Sequence, residues 1–442
     1  MNFREFIEKY IKNNYQEASE SDYSENIKAF SGKTNKTVIT SEFKEVIDSL
    51  LLSSSVFSFV SGVAGTGKSV LIKEIKKKIK NTIVVAPTGI SAINVEGSTI
   101  NSTFQLAPEL FPKVKFLKYK APIFELAEML IIDEISMVKA DLLDAISESL
   151  QIHRDNFEPF GGVKVAVFGD LFQLPPVIEE EDKEIYKEKY DTHFFFGAKC
   201  LETITPTFFQ LTQTFRQSDE KFVSLLSNIR VGHNLIETIE TINKNCFHPD
   251  KKSNLTLTSR SEKAEDINLN ELSKIKSDEL IYNASYSGEY FNNKQNKALP
   301  SPKQLNLKVG AHVIFTKNKG NVYQNGTRGI VKELTQDKII IKTFDKGSFV
   351  DLDKATWEWF KYDIEEEEGV KKISKTLVAT YKQFPIKLGW AMTVHKSQGL
   401  SLGEYNIDLG KDGAFVSGQL YVALSRGRNL NNIYLKNKLN IN

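Results

Sequence analysis

The chain has 442 residues, and its 58 lysines and arginines against 56 aspartates and glutamates give a formal net charge of +2. This length exceeds what one hydrophobic core accommodates, so we expect several domains, and the balanced charge means that any basic surface must be local. The two cysteines, Cys200 and Cys246, lie far apart, which argues against a disulfide framework and a structural zinc site.

The sequence shows neither an apolar signal segment at its N-terminus nor an apolar run of membrane-spanning length. Together with the cysteine usage, this predicts a soluble protein of a reducing compartment with no membrane partner. We expect the cytoplasm, near the nucleoid, if the source is a bacterium or a virus, and the nucleus and the mitochondrion stay open.

The first half of the chain predicts an α/β domain after a short lead-in. Residues 1–10 place apolar side chains at helical spacing, and residues 13–37 are polar, so we assign 1–45 to a helical and loosely ordered lead-in. The runs VFSFV, TIVVA, MLIID and VKVAVF then alternate with helical segments. Strands that are almost wholly apolar are typical of a parallel sheet covered on both faces, which we place at 46–205.

The second half predicts a second α/β domain interrupted by a β-rich insertion. Residues 206–308 continue the α/β pattern, whereas 309–385 contain short strands separated by the turn signals NG and DKG. The acidic run EEEE at 365–368 is interpreted as a solvated loop. The α/β pattern resumes over 386–442, so we predict a small antiparallel barrel inserted into the second domain.

A phosphate-binding loop is predicted at residues 62–69, GVAGTGKS, between a strand and an amphipathic helix. Its backbone N–H groups and the helix N-terminus would hold phosphate oxygens, the lysine would reach the β and γ phosphates, and the serine would bind Mg²⁺. This predicts ATP and Mg²⁺ as cofactors, with nucleotide contacts from Gly62, Ala64, Gly65, Thr66, Gly67, Lys68 and Ser69.

Polar residues at two further strand ends complete the predicted hydrolytic site. In LIIDEIS, Asp133 would hold the Mg²⁺ shell with Ser69, and Glu134 would orient or deprotonate the attacking water. In VAVFGDLFQLPPV, Gln173 would contact the γ phosphate and that water. Each motif alone could be an ordinary strand end, but the ordered set favours hydrolysis.

Seven motifs in order are similar to those of the Pif1 family of superfamily 1B helicases. They are APTGISAINVEGSTINSTF, IIDEISMVKADLLDAI, PFGGVKVAVFGDLFQLPPV, LTQTFRQ, NGTRGIV, WAMTVHKSQGLSL and YVALSRGRN, within residues 56–436. The resemblance implies an ATP-dependent 5′-to-3′ DNA helicase with two RecA-like domains, the second carrying an SH3-like barrel. It further implies that ATP closes the two domains on the strand.

The resemblance also assigns contacts to single-stranded DNA. On the first domain these are Pro87, Thr88 and Gly89 of APTG with Asn101 and Phe104 of STINSTF, and on the second they are Thr393, His395 and Lys396. The family commonly has histidine where this chain has Asn101, and His395 could instead be a structural histidine. The family's adenine-reading glutamine corresponds to Phe43, whose ring could stack on the base.

Two arginines and one loop receive roles on the same basis. Arg216 in LTQTFRQ and Arg426 in YVALSRGR would reach the γ phosphate from the second domain, whereas Arg428 receives no role. The loop of residues 106–122 alternates lysines with Phe111, Phe116 and Tyr119, so it could separate strands at a fork, or it could be a charged solvent face.

Three hypotheses follow for the function. The first is a helicase, expected to be a monomer, that acts on single strands and on duplex or structured DNA such as G-quadruplexes. The second is a single-strand-stimulated translocase that remodels protein–DNA complexes without separating duplexes. The third, a P-loop kinase or switch protein without nucleic acid, leaves residues 391–399 and 421–428 unexplained.

Overall fold

A computed structural model describes residues 7, 28–29, 39–52, 55–107, 109–217, 219–288, 299–317, 319, 322–323, 325–344, 346–367, 370–410 and 413–440. The predicted N-terminal helix and polar tract lie outside these residues, apart from Ile7, which is helical and buried, and the two-residue strand Lys28–Ala29. The chain divides into two compact units. The first comprises Met1–Cys246, Gly413–Asn431 and Lys438–Asn442, and the second comprises Phe247–Asp412 and Asn432–Asn437.

The first unit contains a six-stranded parallel sheet in the order β4-β3-β5-β6-β2-β7. Its strands are β2 (Phe57–Gly62), β3 (Thr82–Ala86), β4 (Ser98–Thr99), β5 (Met129–Ile132), β6 (Lys164–Gly169) and β7 (Thr207–Leu211). A separate parallel pair joins β1 (Lys28–Ala29) to β8 (Gln213–Thr214).

Both faces of this sheet are covered, as the apolar strands predict. Successive residues of a strand point to opposite faces. Accordingly Phe59 and Leu130 belong to one hydrophobic cluster, and their neighbours Val60 and Ile131 belong to another. The helices of this unit are α1 (Ser41–Leu52), α2 (Lys68–Lys78), α3 (Gly89–Asn94), α4 (Ile100–Phe104), α5 (Ala121–Glu125), α6 (Ala140–Arg154), α7 (Lys183–Lys187), α8 (Glu220–Val231), α9 (Leu235–Cys246) and α12 (Gln419–Leu424).

The second unit contains a four-stranded parallel sheet in the order β20-β9-β21-β22. Its strands are β9 (Thr256–Thr258), β20 (Ala391–Thr393), β21 (Tyr405–Asp408) and β22 (Ile433–Leu435), and its helices are α10 (Ser261–Ser273) and α11 (Val394–Ser397). The Asn268 side chain of α10 accepts hydrogen bonds from the backbone N–H groups of Trp390 and Ala391, both at 2.9 Å, and so fixes the start of β20.

The predicted β-rich insertion consists of antiparallel sheets in the second unit. Five strands pair in the order β16-β15-β14-β13-β19, three in the order β11-β18-β17, and two as β10-β12. They are β10 (Glu279–Asn283), β11 (Ser285–Ser287), β12 (Gln304–Lys308), β13 (His312–Phe315), β14 (Arg328–Leu334), β15 (Ile339–Thr343), β16 (Phe349–Leu352), β17 (Ala355–Glu367), β18 (Val370–Gln383) and β19 (Ile386–Leu388). Closure into an SH3-like barrel stays a prediction.

The acidic run is not a loop over most of its length, contrary to the sequence interpretation. Residues 365–367 end the long strand β17, which pairs with β18 along a hairpin. The register places Lys372 and Lys371 opposite Glu365 and Glu366. A sequence pattern that is read one segment at a time does not reveal the partner strand.

The two units divide the chain at other residues than the predicted domains. Residues 207–246 and 413–431 group with the first unit, because β7 extends the sheet by pairing with β2 and α12 packs on α8.

Among the described helices, none is both long and apolar enough to cross a lipid bilayer.

Candidate nucleotide site and nucleic-acid contacts

The predicted phosphate loop joins β2 to α2 and requires glycine at two positions. Gly65 has φ +93° and Gly67 has φ +82°, a left-handed conformation that favours glycine. A side chain at Gly65 would also approach within 2.7 Å of Thr214 Oγ1 and Arg216 Cβ. The loop backbone is therefore held closely against the segment that follows β7.

The Lys68 ammonium lies over the loop itself. Its Nζ donates to the carbonyl oxygens of Gly62 at 2.6 Å and Val63 at 3.2 Å. Burial lowers the pKa of Lys68, and the nearby charges of Glu134, Asp170 and Asp133 oppose that shift. The structure thus brings Lys68 near Asp133, the predicted Mg²⁺ ligand, and near Glu134, the predicted catalytic acid. An incoming phosphate would be a stronger acceptor than the two carbonyls.

Two buried carboxyl groups stand at the end of β5. Asp133 is 3% exposed and Glu134 is 7% exposed, and Asp133 Oδ1 accepts a hydrogen bond from the Glu134 N–H at 2.9 Å. Burial raises the pKa of Asp133 to about 8, and the charge of Glu134 adds to the shift. A divalent cation would relieve this accumulation of negative charge, so the acid pair fits the predicted Mg²⁺.

The remaining ligands of such a cation would not come from a protein cage. Within the described residues, no group of three or more histidines, cysteines and acids is positioned to hold a metal ion. Mg²⁺ typically takes one or two protein oxygens and completes its shell with water and substrate phosphates. Ser69, in the first turn of α2, and Asp133 match that arrangement.

Gln173 lies in the turn after β6, with 4% of its surface exposed. Its backbone N–H donates to Asp170 O at 3.0 Å. A side chain at Gly418, which precedes α12, would meet Gln173 O at 2.4 Å, so glycine is required where α12 begins. The turn that carries Gln173 is therefore packed directly against the segment that carries Arg426.

A buried polar network links the phosphate loop to α12 and α8, and the sequence analysis assigned it no role. Tyr421 Oη accepts from the Ala64 N–H at 3.1 Å and donates to Asp170 Oδ2 at 3.2 Å. Arg230 of α8 completes the network, because its Nη2 lies 2.9 Å from Asp170 Oδ1. Asp170 is fully buried and directly follows the buried strand β6, and its place after an apolar run is the signal that the sequence offers.

The two predicted arginines meet at Ser425. Arg216 Nη1 donates to Ser425 O at 2.9 Å, and Arg426 Nη2 donates to Ser425 Oγ at 2.8 Å. Arg426 also donates from Nε to Val422 O at 2.9 Å and is 1% exposed. Both arginines belong to the first compact unit, whereas the resemblance assigned them to the second domain. Arg216 is near enough to Lys68 to lower its pKa.

Phe43 lies beside the phosphate loop. The ring is 2% exposed and packs edge-on against Phe215 with centroids 6.3 Å apart. A Cβ at Gly67 would approach Phe43 Cζ to 3.0 Å, so the ring borders the start of α2. The predicted stacking of this ring on adenine stays a prediction.

The predicted DNA contacts on the first unit fall into two groups. Thr88 caps α3, because its Oγ1 accepts from the Ser91 N–H at 3.2 Å, and it lies at the carboxyl end of β3 between Pro87 and the exposed Gly89. Asn101 Nδ2 instead donates to Leu106 O at 2.9 Å. Phe104 is 2% exposed and stacks on Phe124, so its ring is part of the core and we do not propose it as a DNA contact.

The second unit places its predicted DNA contacts in a similar local structure. Thr393 ends β20 and caps the short helix α11, with its Oγ1 accepting from the Lys396 N–H at 3.3 Å. The Lys396 side chain is exposed, and His395 is half-buried, which lowers its pKa. A threonine at the carboxyl end of a parallel strand thus recurs in both units.

The loop of residues 106–122 is anchored to the protein at its aromatic positions. Phe111 stacks on Tyr186 and Tyr190, with centroids 5.6 and 6.1 Å away. Phe116 is 55% exposed and stacks on His153 of α6 at 4.8 Å. Lys120 Nζ donates to the Ser102 and Thr103 carbonyls, and burial lowers its pKa to about 8. The exposed cations of the loop are Lys113, Lys115 and Lys118.

A phosphate loop between a parallel strand and a helix, facing an acidic strand end, defines a P-loop protein of the α/β class. Residues 36–240 match the PIF1-like helicase family. The ATP-dependent DNA helicase Pif1 of Campylobacter jejuni is 31% identical over 423 residues, which is 86% of this chain and 89% of that protein. This chain belongs to the Pif1-like helicase family.

Two further proteins are similar to this chain, and the matches cover different shares of their lengths. The ATP-dependent DNA helicase PIF1 of Emericella nidulans is 30% identical over 83% of this chain, but the match spans only 56% of that longer protein. The crystal structure of the Pif1 helicase from Bacteroides in complex with ADP-AlF3 and ssDNA has a TM-score of 0.68 and 34% identity, covering 92% of this chain and 94% of that one.

Proposed function

We propose that this protein is an ATP-dependent DNA helicase that moves 5′ to 3′ on single-stranded DNA and unwinds duplex or structured DNA. The observation that carries the proposal is the juxtaposition of Lys68 with Asp133 and Glu134 beside the phosphate loop. Support comes from the Campylobacter relative, which is named an ATP-dependent DNA helicase, and from the Bacteroides relative, which was crystallised with ADP-AlF3 and ssDNA.

In this proposal the residues of the first unit carry out ATP hydrolysis. Lys68 leaves its loop carbonyls to hold the β and γ phosphates, and Ser69 and Asp133 hold Mg²⁺, which would neutralise phosphate charge when bound. Glu134 orients or deprotonates the attacking water, and Gln173 contacts the γ phosphate. Arg216 and Arg426 stabilise the negative charge that develops on the transferred phosphoryl group.

The DNA strand is held through its phosphates in this proposal. Thr88 and its neighbours bind it on the first unit, and Thr393, His395 and Lys396 bind it on the second. Such contacts position a strand without reading its sequence, as a translocating protein requires. ATP-driven closure of two RecA-like domains would advance the strand, with a wedge at residues 106–122.

The proposal is tested first by ATP hydrolysis with and without a single-stranded oligonucleotide. We expect the oligonucleotide to stimulate the wild type, Lys68→Ala to abolish hydrolysis, and Lys78→Ala to retain it. Lys78 is a matched control because it is an exposed lysine of the same helix. Hydrolysis that DNA does not stimulate would favour a kinase or switch protein instead.

A second candidate function is a translocase that remodels protein–DNA complexes without separating strands. The stacking of Phe111 on Tyr186 and Tyr190 favours it, because an aromatic ring held by protein partners is less available to bases. Replacing the exposed Lys113, Lys115 and Lys118 by alanine separates the two functions without removing the anchors. A helicase with a wedge should lose unwinding but keep DNA-stimulated hydrolysis, whereas unwinding at the wild-type rate would exclude a wedge role for these lysines.

A further inference from the structure

Two cations share one face of the five-stranded antiparallel sheet in the second unit. Strand β13 lies between β14 and β19, and the register pairs Ile314 with Arg328 on one side and with Lys387 on the other. Directly paired residues of antiparallel strands point to the same face, and neighbouring strands are about 4.8 Å apart. The Arg328 and Lys387 backbones therefore lie roughly 10 Å apart, with both side chains on the Ile314 face.

Neither cation has a neutralising partner among the residues that the structure describes. Among the residues that the structure describes, the Lys387 ammonium and the Arg328 guanidinium form no hydrogen bond or ion pair, and Arg328 Nε is buried without a partner. Burial lowers the pKa of Lys387 to about 8, with the charge of Lys396 contributing, and burial lowers the pKa of Arg328 to about 10. Partly buried cations without counter-charges raise the free energy of the folded protein, and a bound anion would relieve that cost.

Aromatic rings adjoin the two cations. The Arg328 guanidinium carbon lies 5.5 Å from the centroid of the Phe344 ring, which is 38% exposed. His312 packs edge-on against Phe344 at 5.1 Å and stacks on Trp390 at 5.2 Å. Cations that hold phosphates next to rings that can stack on bases are the combination found where single-stranded nucleic acid binds.

We propose that Arg328 and Lys387 bind phosphodiester groups of a single-stranded nucleic acid, with Phe344 available to a neighbouring base. This site rests on the proposed function for its ligand and extends the contacts predicted at Thr393 and Lys396. The two groups of residues are close to each other, because the charge of Lys396 contributes to lowering the pKa of Lys387. Nucleic acid is favoured over free phosphate because the rings would serve no purpose for an inorganic ion.

The site is tested by fluorescence anisotropy of a labelled single-stranded oligonucleotide, titrated with the full chain at several salt concentrations. We expect Arg328→Gln and Lys387→Gln each to weaken binding about tenfold. Each should also reduce the slope of log affinity against log salt by about 0.7, the value for one phosphate contact on a single strand. Lys338→Gln removes an exposed lysine that directly precedes β15 and forms an ion pair with Asp351, and it should change neither the affinity nor the slope. Unchanged affinity and slope in both variants would overturn the site.

Thermal unfolding separates a binding role from a structural one. Because each variant removes a cation that no carboxylate of the described residues neutralises, we expect the unfolding midpoint of Arg328→Gln and Lys387→Gln to stay level or rise without DNA. A lowered midpoint together with weaker binding would overturn the proposal in favour of a structural role. A wild type that binds no oligonucleotide would instead refute the proposed function.

Inorganic phosphate tests whether the site binds a free anion instead of nucleic acid. We expect replacing chloride by phosphate at equal ionic strength to leave the difference between wild type and variants intact. If phosphate raises the unfolding midpoint of the wild type but not of the variants, and the oligonucleotide affinities are equal, the site binds a free anion and the nucleic-acid assignment is wrong.

Discussion

At the scale of single residues, the phosphate loop depends on a tyrosine from a distant part of the chain. Tyr421 is 251 residues from Asp170, and Asp170 is 60 residues from Arg230. The Tyr421 hydroxyl oxygen contacts both the backbone N–H of Ala64 in the loop and the Asp170 carboxylate. We infer that it sets the position of the loop backbone at Ala64.

Tyr421→Phe tests that inference with a change of one atom. It leaves the Ala64 N–H and one Asp170 oxygen without this partner in a buried site, which should cost about 1–3 kcal/mol. We expect a lower thermal unfolding midpoint and a higher KM for ATP, measured by steady-state hydrolysis. Tyr190→Phe is a suitable control, since its hydroxyl donates to Asp144 far from the loop. A Tyr421→Phe protein with wild-type midpoint and KM would show that the hydroxyl is dispensable.

Arg426 is predicted to accelerate ATP hydrolysis by stabilising the negative charge on the transferred phosphoryl group. Arg426→Ala should bind ATP nearly as the wild type does but lose DNA-stimulated hydrolysis by about 100-fold or more, because a stabilising cation is removed. Nucleotide binding is followed with a fluorescent ATP analogue and hydrolysis by phosphate release. The variant also loses hydrogen bonds to Val422 O and Ser425 Oγ, so its unfolding midpoint is the necessary control. Stimulated hydrolysis retained in Arg426→Ala would refute the role.

Local motifs could be predicted from the sequence because their geometry depends on residues that are adjacent in the chain. Gly65 and Gly67 are needed for left-handed backbone within one turn, and Asp133 follows directly on its own buried strand. The Tyr421 network could not be predicted, because it joins three elements whose proximity exists only in the fold. The stacking of Phe104 on Phe124 could not be predicted for the same reason.

At the scale of elements, the loop of residues 106–122 is fastened to α6 by a neutral histidine. His153 Nε2 accepts from the Leu117 N–H at 2.7 Å, and its Nδ1 lies 2.6 Å from Ser149 O. The proton must therefore be on Nδ1, and a second proton on Nε2 would oppose the Leu117 N–H. Burial lowers the pKa of His153 below its usual 6.5, although Glu125 opposes the shift.

The lowered pKa of His153 predicts that the folded protein loses stability at acidic pH. Below pH 6.5 the unfolded chain takes up a proton at His153 that the folded chain does not take up until its lower pKa. The contribution of His153 to the free energy of unfolding is therefore present above pH 6.5 and decreases as the pH falls below that value. We expect the thermal midpoint of the wild type to fall more steeply in that range than that of His153→Gln. Parallel pH profiles of the two proteins would contradict this attachment.

The element types were more predictable than their partners. Continuous apolar runs correctly predicted the parallel sheet, and turn signals correctly predicted antiparallel strands after residue 309. The pairing of β17 with β18 was missed, because the charged segment 361–375 lacks the alternation of a half-buried strand. The strand at residues 365–367 shows that charge alone does not distinguish a loop from a paired strand.

At the scale of the whole molecule, the proposed helicase activity requires ATP hydrolysis by the first unit to be coupled to the DNA contacts proposed on each unit. Each unit carries a parallel sheet and a threonine-capped helix at a strand's carboxyl end. The predicted nucleotide residues lie in the first unit, whereas the predicted contacts Thr393 and Lys396 and the proposed Arg328 and Lys387 site lie in the second. Substitutions in the second unit should therefore weaken DNA binding while leaving hydrolysis without DNA at the wild-type rate.

The most direct test of the central claim is strand separation on fluorescent forks that differ only in the polarity of the single-stranded tail. We predict ATP-dependent unwinding of the fork with a 5′ tail, none with a 3′ tail alone, and none by Lys68→Ala. Unwinding only from a 3′ tail, or unwinding that persists in Lys68→Ala, would contradict the account.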